Sequence, residues 1–255
     1  MIRVAAAALG FTVGATELLA AQDIFEIQVY EYATVPRGKW NLETHLNHSA
    51  SGVRDTVGKI LPTQGQTRLT FELTRGITDW FEMAGYLAFA RQPHDGPEFA
   101  AWRLRPRVRA PDNWKFPVQL SLSVEVAFPQ HKYEAEKATL EIRPVIERRF
   151  GAVQVDLNPV LGRSLKGPGA SEGWDFEPGG RFAVAVTPKL DLSVEYYGSF
   201  GPVGDFLPSA EQVHLFFGGG DAQLSENVVV NFGVGLGATS AGEQTVLKMR
   251  VGWMF

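Results

Sequence analysis

TVLKMRVGWMF, residues 245 to 255, alternates with a period of two. Thr245, Leu247, Met249, Val251, Trp253 and Phe255 fall on one side, and Val246, Lys248, Arg250, Gly252 and Met254 lie between them. That period belongs to a strand with one apolar and one polar face. It recurs upstream. VVVNFGVGLGAT (228 to 239) sets Val228, Val230, Phe232, Val234, Leu236 and Ala238 against Asn231, three glycines and Thr239. LDLSVEYYGSF (190 to 200) and VQLSLSVEVAF (118 to 128) split in the same way, with Asp191, Ser193 and Glu195 on one polar face and Gln119, Ser121, Ser123 and Glu125 on the other.

Weaker alternation fills residues 39–51, 67–77, 80–91, 101–111, 138–150, 152–165, 174–187 and 212–224. The count comes to about twelve, an even number within the range of membrane barrels. Each run is about 10 to 14 residues, long enough at a tilt near 45° to cross an apolar band. Tight links such as GITDW, RRFGA, VTPKL and SEN take turns with longer ones such as GVRDTVGKILPTQGQ and GPVGDFLPSAEQ. The expected fold is all-β: a transmembrane antiparallel up-and-down barrel over residues 39–255. Three glycines at 218–220 are a place where a bulge would change the face that Asp221 takes.

A net charge of -4 gives no basic excess of the kind nucleic-acid binding needs. There is no cysteine, so disulfides, thiol catalysis and cysteine-based zinc sites are excluded. Residues 1–21 combine Arg3, an apolar centre from Val4 to Val13 and the small residues Ala20 and Ala21, the pattern of a secretory signal. Residues 22–38, QDIFEIQVYEYATVPRG, precede the first strand and are expected at the periplasmic end, with their aromatics at the interface or over the mouth of the lumen.

Alternation alone does not say which face is outside. The apolar face carries large residues all round, while the polar face mixes charges with glycines, as when the polar face lines a narrow interior. Trp40, Trp102, Trp174 and Trp253 lie near strand ends, where an aromatic girdle sits. Val251, Trp253 and Phe255 form a strand ending on an aromatic residue, which resembles the signal by which outer-membrane barrels reach their assembly machinery. The expected location is therefore the bacterial outer membrane, with its lipid and that machinery as partners.

GITDWFE (76–82), LRPRVRAP (104–111), LEIRPVI (140–146) and NFGVGLGATSA (231–241) resemble a family of bacterial outer-membrane putative transporters, related to proteins labelled "MetA-pathway of phenol degradation". The resemblance implies an outer-membrane β-barrel and passage of small molecules.

On WRLRPRVRAP, Arg103, Arg105, Arg107 and Arg109 share one face, and a row of guanidiniums repels itself unless anions answer it. Glu82 and Glu125 stand on neighbouring strands, and Glu141, Arg143, Glu147, Asp156, Arg181, Glu195, Lys248 and Arg250 add charge of both signs. Two readings follow. These charges pair into networks that fill a closed structural or assembly barrel. Or the arginine row and an acidic wall including Asp221 and Glu195 set up a transverse field in an open pore. A lipase-type hydrolase is a third class. Of the five histidines, His45 shares its polar face with Asn41, Glu43 and Asn47, but His45 and His48 point to opposite faces. With no nucleophile elbow and no paired metal-binding histidines, the expected function is a non-enzymatic, porin-like channel for small solutes. No cofactor or metal is expected.

Overall fold

The structure, a computed structural model, describes residues 24–255; the signal-like residues 1–21 lie outside the described part. Among the described residues the alternating runs form β1 (Trp40–Ser51), β2 (Thr67–Gly76), β3 (Phe81–Arg91), β4 (Glu98–Arg109), β5 (Gln119–Pro129), β6 (Ala138–Phe150), β7 (Val153–Asn158), β8 (Leu161–Lys166), β9 (Asp175–Phe176), β10 (Gly179–Thr187), β11 (Leu190–Ser199), β12 (Val213–Ser225), β13 (Val228–Gly237) and β14 (Thr245–Met254). Every pairing is antiparallel, all but β6–β8 and β7–β10 join strands consecutive in the chain, and β14 returns to pair with β1. The sheet is therefore closed. At the seam Trp40 donates its N–H to the Phe255 carbonyl at 2.8 Å, and Phe255 returns the bond at 2.9 Å.

β7 and β8 are two halves of one wall strand, both paired to β6, interrupted at Pro159. β9 and β10 are likewise two halves, interrupted at Pro178. Proline has no N–H for the ladder, so the break falls where the sequence places it. Counting each pair as one, the barrel has the expected twelve strands. Gly218, Gly219 and Gly220 keep their register with both neighbours, and the shift in this region falls at Gln223/Ser225 instead. Asp221 consequently faces inward, opposite Asn231 and Asp191.

The faces separate cleanly. Leu46, Phe71, Leu87, Leu104, Phe182, Leu192, Val194, Phe216, Phe232, Val234, Leu247 and Met249 are exposed on the outside. Arg68, Glu72, Glu82, Arg103, Arg105, Arg143, Asp156, Glu195 and Lys248 are buried within. A water-soluble barrel would invert this arrangement, so the outer surface is built for lipid. At the turn end Trp40, Trp80, Trp253 and Phe255 are exposed, with the Trp253 and Phe255 rings 4.7 Å apart. Toward the loop end Trp102 stacks on Phe128 at 4.2 Å, whereas Trp174 lies beyond the wall beneath Arg163.

Leu104 sits halfway along β4 and is 48% exposed. Leu104→Arg is expected to lower the stability of the barrel in lipid vesicles by about 2–4 kcal/mol in a denaturant titration. A change below about 1 kcal/mol would contradict the lipid-facing assignment of this side.

Candidate functional site: a lumen occupied by the N-terminal segment

A barrel of eight strands has an interior that side chains fill; twelve strands enclose a wider one. Here the extra cross-section is occupied by the chain itself. Residues 24–35 run in extended form down the lumen. Ile24 lies near the loop end, and Val35 near the turn end, from which the chain turns into β1. The segment expected at the periplasmic end thus lies largely inside the barrel. The reason is in its own alternation: Phe25, Ile27 and Val29 make one face, and Glu26, Gln28 and Tyr30 the other.

The apolar face meets two apolar patches on the inner wall. Phe25 packs against Ala88, Ala90, Ala100, Ala101 and Tyr133. The small side chains of β3 and β4 leave room for its ring, which meets Tyr133 edge-on at 6.0 Å. Ile27 and Val29 pack against Tyr197, Leu215, Phe217 and Val246.

The backbone of the segment has no ladder among the described residues, and wall side chains take that role. Asn47 donates to the Ile24 carbonyl at 3.2 Å, Thr70 to that of Phe25 at 2.9 Å, Lys248 to that of Ile27 at 3.4 Å and Arg143 to that of Gln28 at 3.1 Å. Asn158 grips Tyr30 twice, accepting from its N–H at 2.6 Å and donating to its carbonyl at 3.0 Å. Arg107 reaches the Glu31 carbonyl, Glu147 accepts from the Tyr32 N–H at 2.7 Å, and Glu82 from the Val35 N–H at 2.6 Å. A backbone in a closed interior must be satisfied group by group. Where the segment leaves the barrel it passes over Gly76, whose Cα lies so close to the Val35 and Pro36 carbonyls that a Cβ there would collide with them.

The arginine row faces inward as its spacing predicts. Arg105 binds Glu82 at 2.7 Å and Glu72 more closely still, and donates to the Tyr86 hydroxyl at 2.6 Å. Arg103 meets Glu125 at 3.3 Å and Glu26 at 3.9 Å; Arg107 meets Glu82 at 3.7 Å. Arg109, at the turn end, binds Asp112 at 3.2 Å and the Tyr32 hydroxyl at 2.7 Å. The hydrogen bonds from Tyr32 and Arg109 hold the exposed Asp112 carboxyl below its ordinary range. Arg143 closes on Glu141 at 2.7 Å and stacks 4.2 Å from the Tyr30 ring. Glu195 pairs with Lys248, and Asp221 pairs with Arg181 at 2.6 Å. The arginine row is thus answered by adjacent strands and by the lumen segment, while Glu195 and Asp221 serve cations on their own side. Between the segment and the wall lined by Arg181, Glu195, Asp221 and Lys248, a cavity of about 10 Å³ remains, room for about one water.

Sequence reasoning put Asn47 on the polar face without a role, and missed Asn158, Thr70 and the receiving patches. Their signal was present as apolar residues on a face expected to be wet: Ala88, Ala90, Tyr197, Leu215, Phe217 and Val246 all alternate with the lipid-facing set.

A closed antiparallel barrel with lipid-facing leucines outside and paired charges inside is an outer-membrane β-barrel, and this protein is one, located in the bacterial outer membrane. The short turns then mark the periplasmic end. The fold is similar to the COG4313 outer membrane channel from Pseudomonas putida F1, with a TM-score of 0.60 at 13% identity over 90% of this chain and 100% of that one. It is also similar to the KdgM porin, with a TM-score of 0.54 at 9% identity over 84% and 99% of the two chains. The translocator domain of the autotransporter NalP from Neisseria meningitidis aligns at 0.51, with 9% identity over 85% and 88%. No family model matches the chain, and no curated protein matches it in sequence.

Arg105→Ala would leave Glu72 and Glu82 buried without their shared guanidinium. The expected loss is about 3–5 kcal/mol in urea unfolding from detergent micelles. The triple change Glu72→Gln, Glu82→Gln, Arg105→Met is expected to recover most of that, because a buried charge set replaced as a unit costs little.

Proposed function

We propose that the protein is a passive channel for small polar solutes, closed in the state described, and that it conducts when residues 24–35 leave the lumen. The observation that carries this reading is how the segment is held. It crosses the barrel on side-chain hydrogen bonds and two apolar patches, with no backbone ladder to the wall among the described residues. Such an element can leave without unzipping a strand of the barrel. Its departure would expose a polar, charged tube wider than the eight-strand interior that side chains alone fill. The resemblance of residues 76–82, 104–111, 140–146 and 231–241 to putative outer-membrane transporters supports the same reading, as does the likeness of fold to a channel and a porin.

The competing reading is a closed structural barrel, favoured by the ion pairing of the inward charges and by the segment that fills the lumen. Conductance separates the two. In planar bilayers the intact protein is expected to give rare openings, and a variant lacking residues 24–35 to give steady discrete steps. Silence from the deletion variant, with insertion verified by heat-modifiable migration, would favour the structural barrel.

The arginines supply the second test. In the deletion variant Arg107 loses its Glu31 carbonyl partner and faces the open lumen. Arg105→Ala and Arg107→Ala introduced there are expected to move the reversal potential in a salt gradient toward cation preference, since each removes one lumenal positive charge. An unchanged potential would remove the arginine row from selectivity.

A further inference from the structure

The sequence has no metal-binding spacing, but the fold brings together three ligands from distant points. Glu26 of the lumen segment, His45 of β1 and Glu72 of β2 are all buried and present ligand atoms within 4.8 Å of one another. Two carboxylates beside a histidine do not make a site by themselves. The independent observation is His45, which is 2% exposed and whose Nε2 makes no hydrogen bond. The carboxylate oxygens around it, Glu43 Oε2 and Glu72 Oε2, stand at 3.6 and 3.7 Å. That is too long for a hydrogen bond. It is close to the roughly 3.4 Å edge of a tetrahedron whose centre lies ~2.0–2.1 Å from each ligand.

The carboxylates are oriented for this. Glu72 gives Oε1 to Arg105 and, at 2.7 Å, to the Thr74 hydroxyl, and turns Oε2 toward His45. Glu26 accepts the Tyr30 hydroxyl on Oε1 at 2.6 Å, with Oε2 3.9 Å from Arg103. Glu43 is engaged by Arg250 at 2.9 Å and lies outside the three-ligand cluster. An imidazole among carboxylates suits zinc and similar transition-metal ions rather than calcium or magnesium, which take oxygen alone.

We propose that Glu26, His45 and Glu72 form a site for one divalent transition-metal ion of the zinc type, and that this ion ties the lumen segment to the wall and keeps the channel shut. The second half rests on the gated-channel reading. Glu26 is the key ligand, because it alone of the three belongs to the movable element. A bound ion adds a coordinate cross-link to the hydrogen bonds, ion pairs and apolar contacts that otherwise hold the segment.

The test uses the full-length mature protein, stripped with chelator and titrated with zinc chloride in a calorimeter. One zinc per chain is expected, weakened at least tenfold by His45→Ala, by His45→Asn and by Glu26→Gln. His48→Ala, whose ring binds Thr67 instead, is expected to change nothing. Folding of each variant is checked by heat-modifiable migration, and X-ray absorption of the zinc complex should report one imidazole with oxygen ligands. No zinc uptake, or uptake unaffected by these variants, overturns the site. In bilayers zinc should suppress openings and chelator restore them, and Glu26→Gln should be insensitive. Zinc binding without an effect on openings overturns the lock and leaves the site standing. Silence of the variant lacking residues 24–35 overturns the gated-channel reading, while the calorimetric result stands by itself.

Discussion

Twelve strands enclose more cross-section than their inward side chains fill, and the rest of this structure follows from how that space is taken up. The filling is an extended peptide, so its N–H and C=O groups arrive in a closed interior with no strand beside them. Each must find a partner. The wall supplies amides, hydroxyls, carboxylates and guanidiniums in place of a ladder, and Asn158, bonded to both backbone groups of Tyr30, shows the device in its simplest form. The two apolar patches fix the register of the segment. Phe25 fits where β3 and β4 carry alanine, and Ile27 and Val29 fit where Leu215, Phe217 and Val246 interrupt an otherwise polar face.

The charges serve the same arrangement. Four arginines in line on β4 would repel one another in an empty tube. Glu82 and Glu125 on the adjacent strands, Glu72 one strand further, and Glu26 or a backbone carbonyl from the segment answer Arg103, Arg105 and Arg107, and Asp112 with the Tyr32 hydroxyl answers Arg109. Segment and wall therefore neutralise each other in part, which links occupancy of the lumen to its electrostatics. Removing the segment takes Glu26 and Glu31 out of the lumen and leaves Arg103, Arg107 and Arg181 with fewer partners.

Much of the barrel was legible in the sequence because a period of two is a local property. The strands around Val118–Phe128, Leu190–Phe200 and Val228–Thr239 lie within a few residues of β5, β11 and β13, and the inward turn of Arg103, Arg105 and Arg107 follows directly from it. The direction of the faces was not local. Alternation is symmetric, so the expected outward apolar face rested on the glycines and charges of the polar face and on the aromatic terminal strand, and the closed sheet bears it out. The segment at 24–35 was harder still. Its alternation is brief, and nothing in the spacing of Asn47, Thr70, Asn158 and Lys248, spread over four strands, points to a common ligand. The Glu26, His45 and Glu72 cluster has the same origin, since it exists only once the segment is in place.

The central claim is that the segment at 24–35 is the gate. The chain has no cysteine, so a single introduced pair reports on it alone. Gly179 is the natural wall partner, because a Cβ built there would stand 3.6 Å from Val29 Cγ2. Single-channel recording of the Val29→Cys, Gly179→Cys variant should give a silent barrel when oxidised and openings that appear on reduction, in the same membrane. Equal conductance in the oxidised and reduced states, with the cross-link confirmed by mass, would contradict the account.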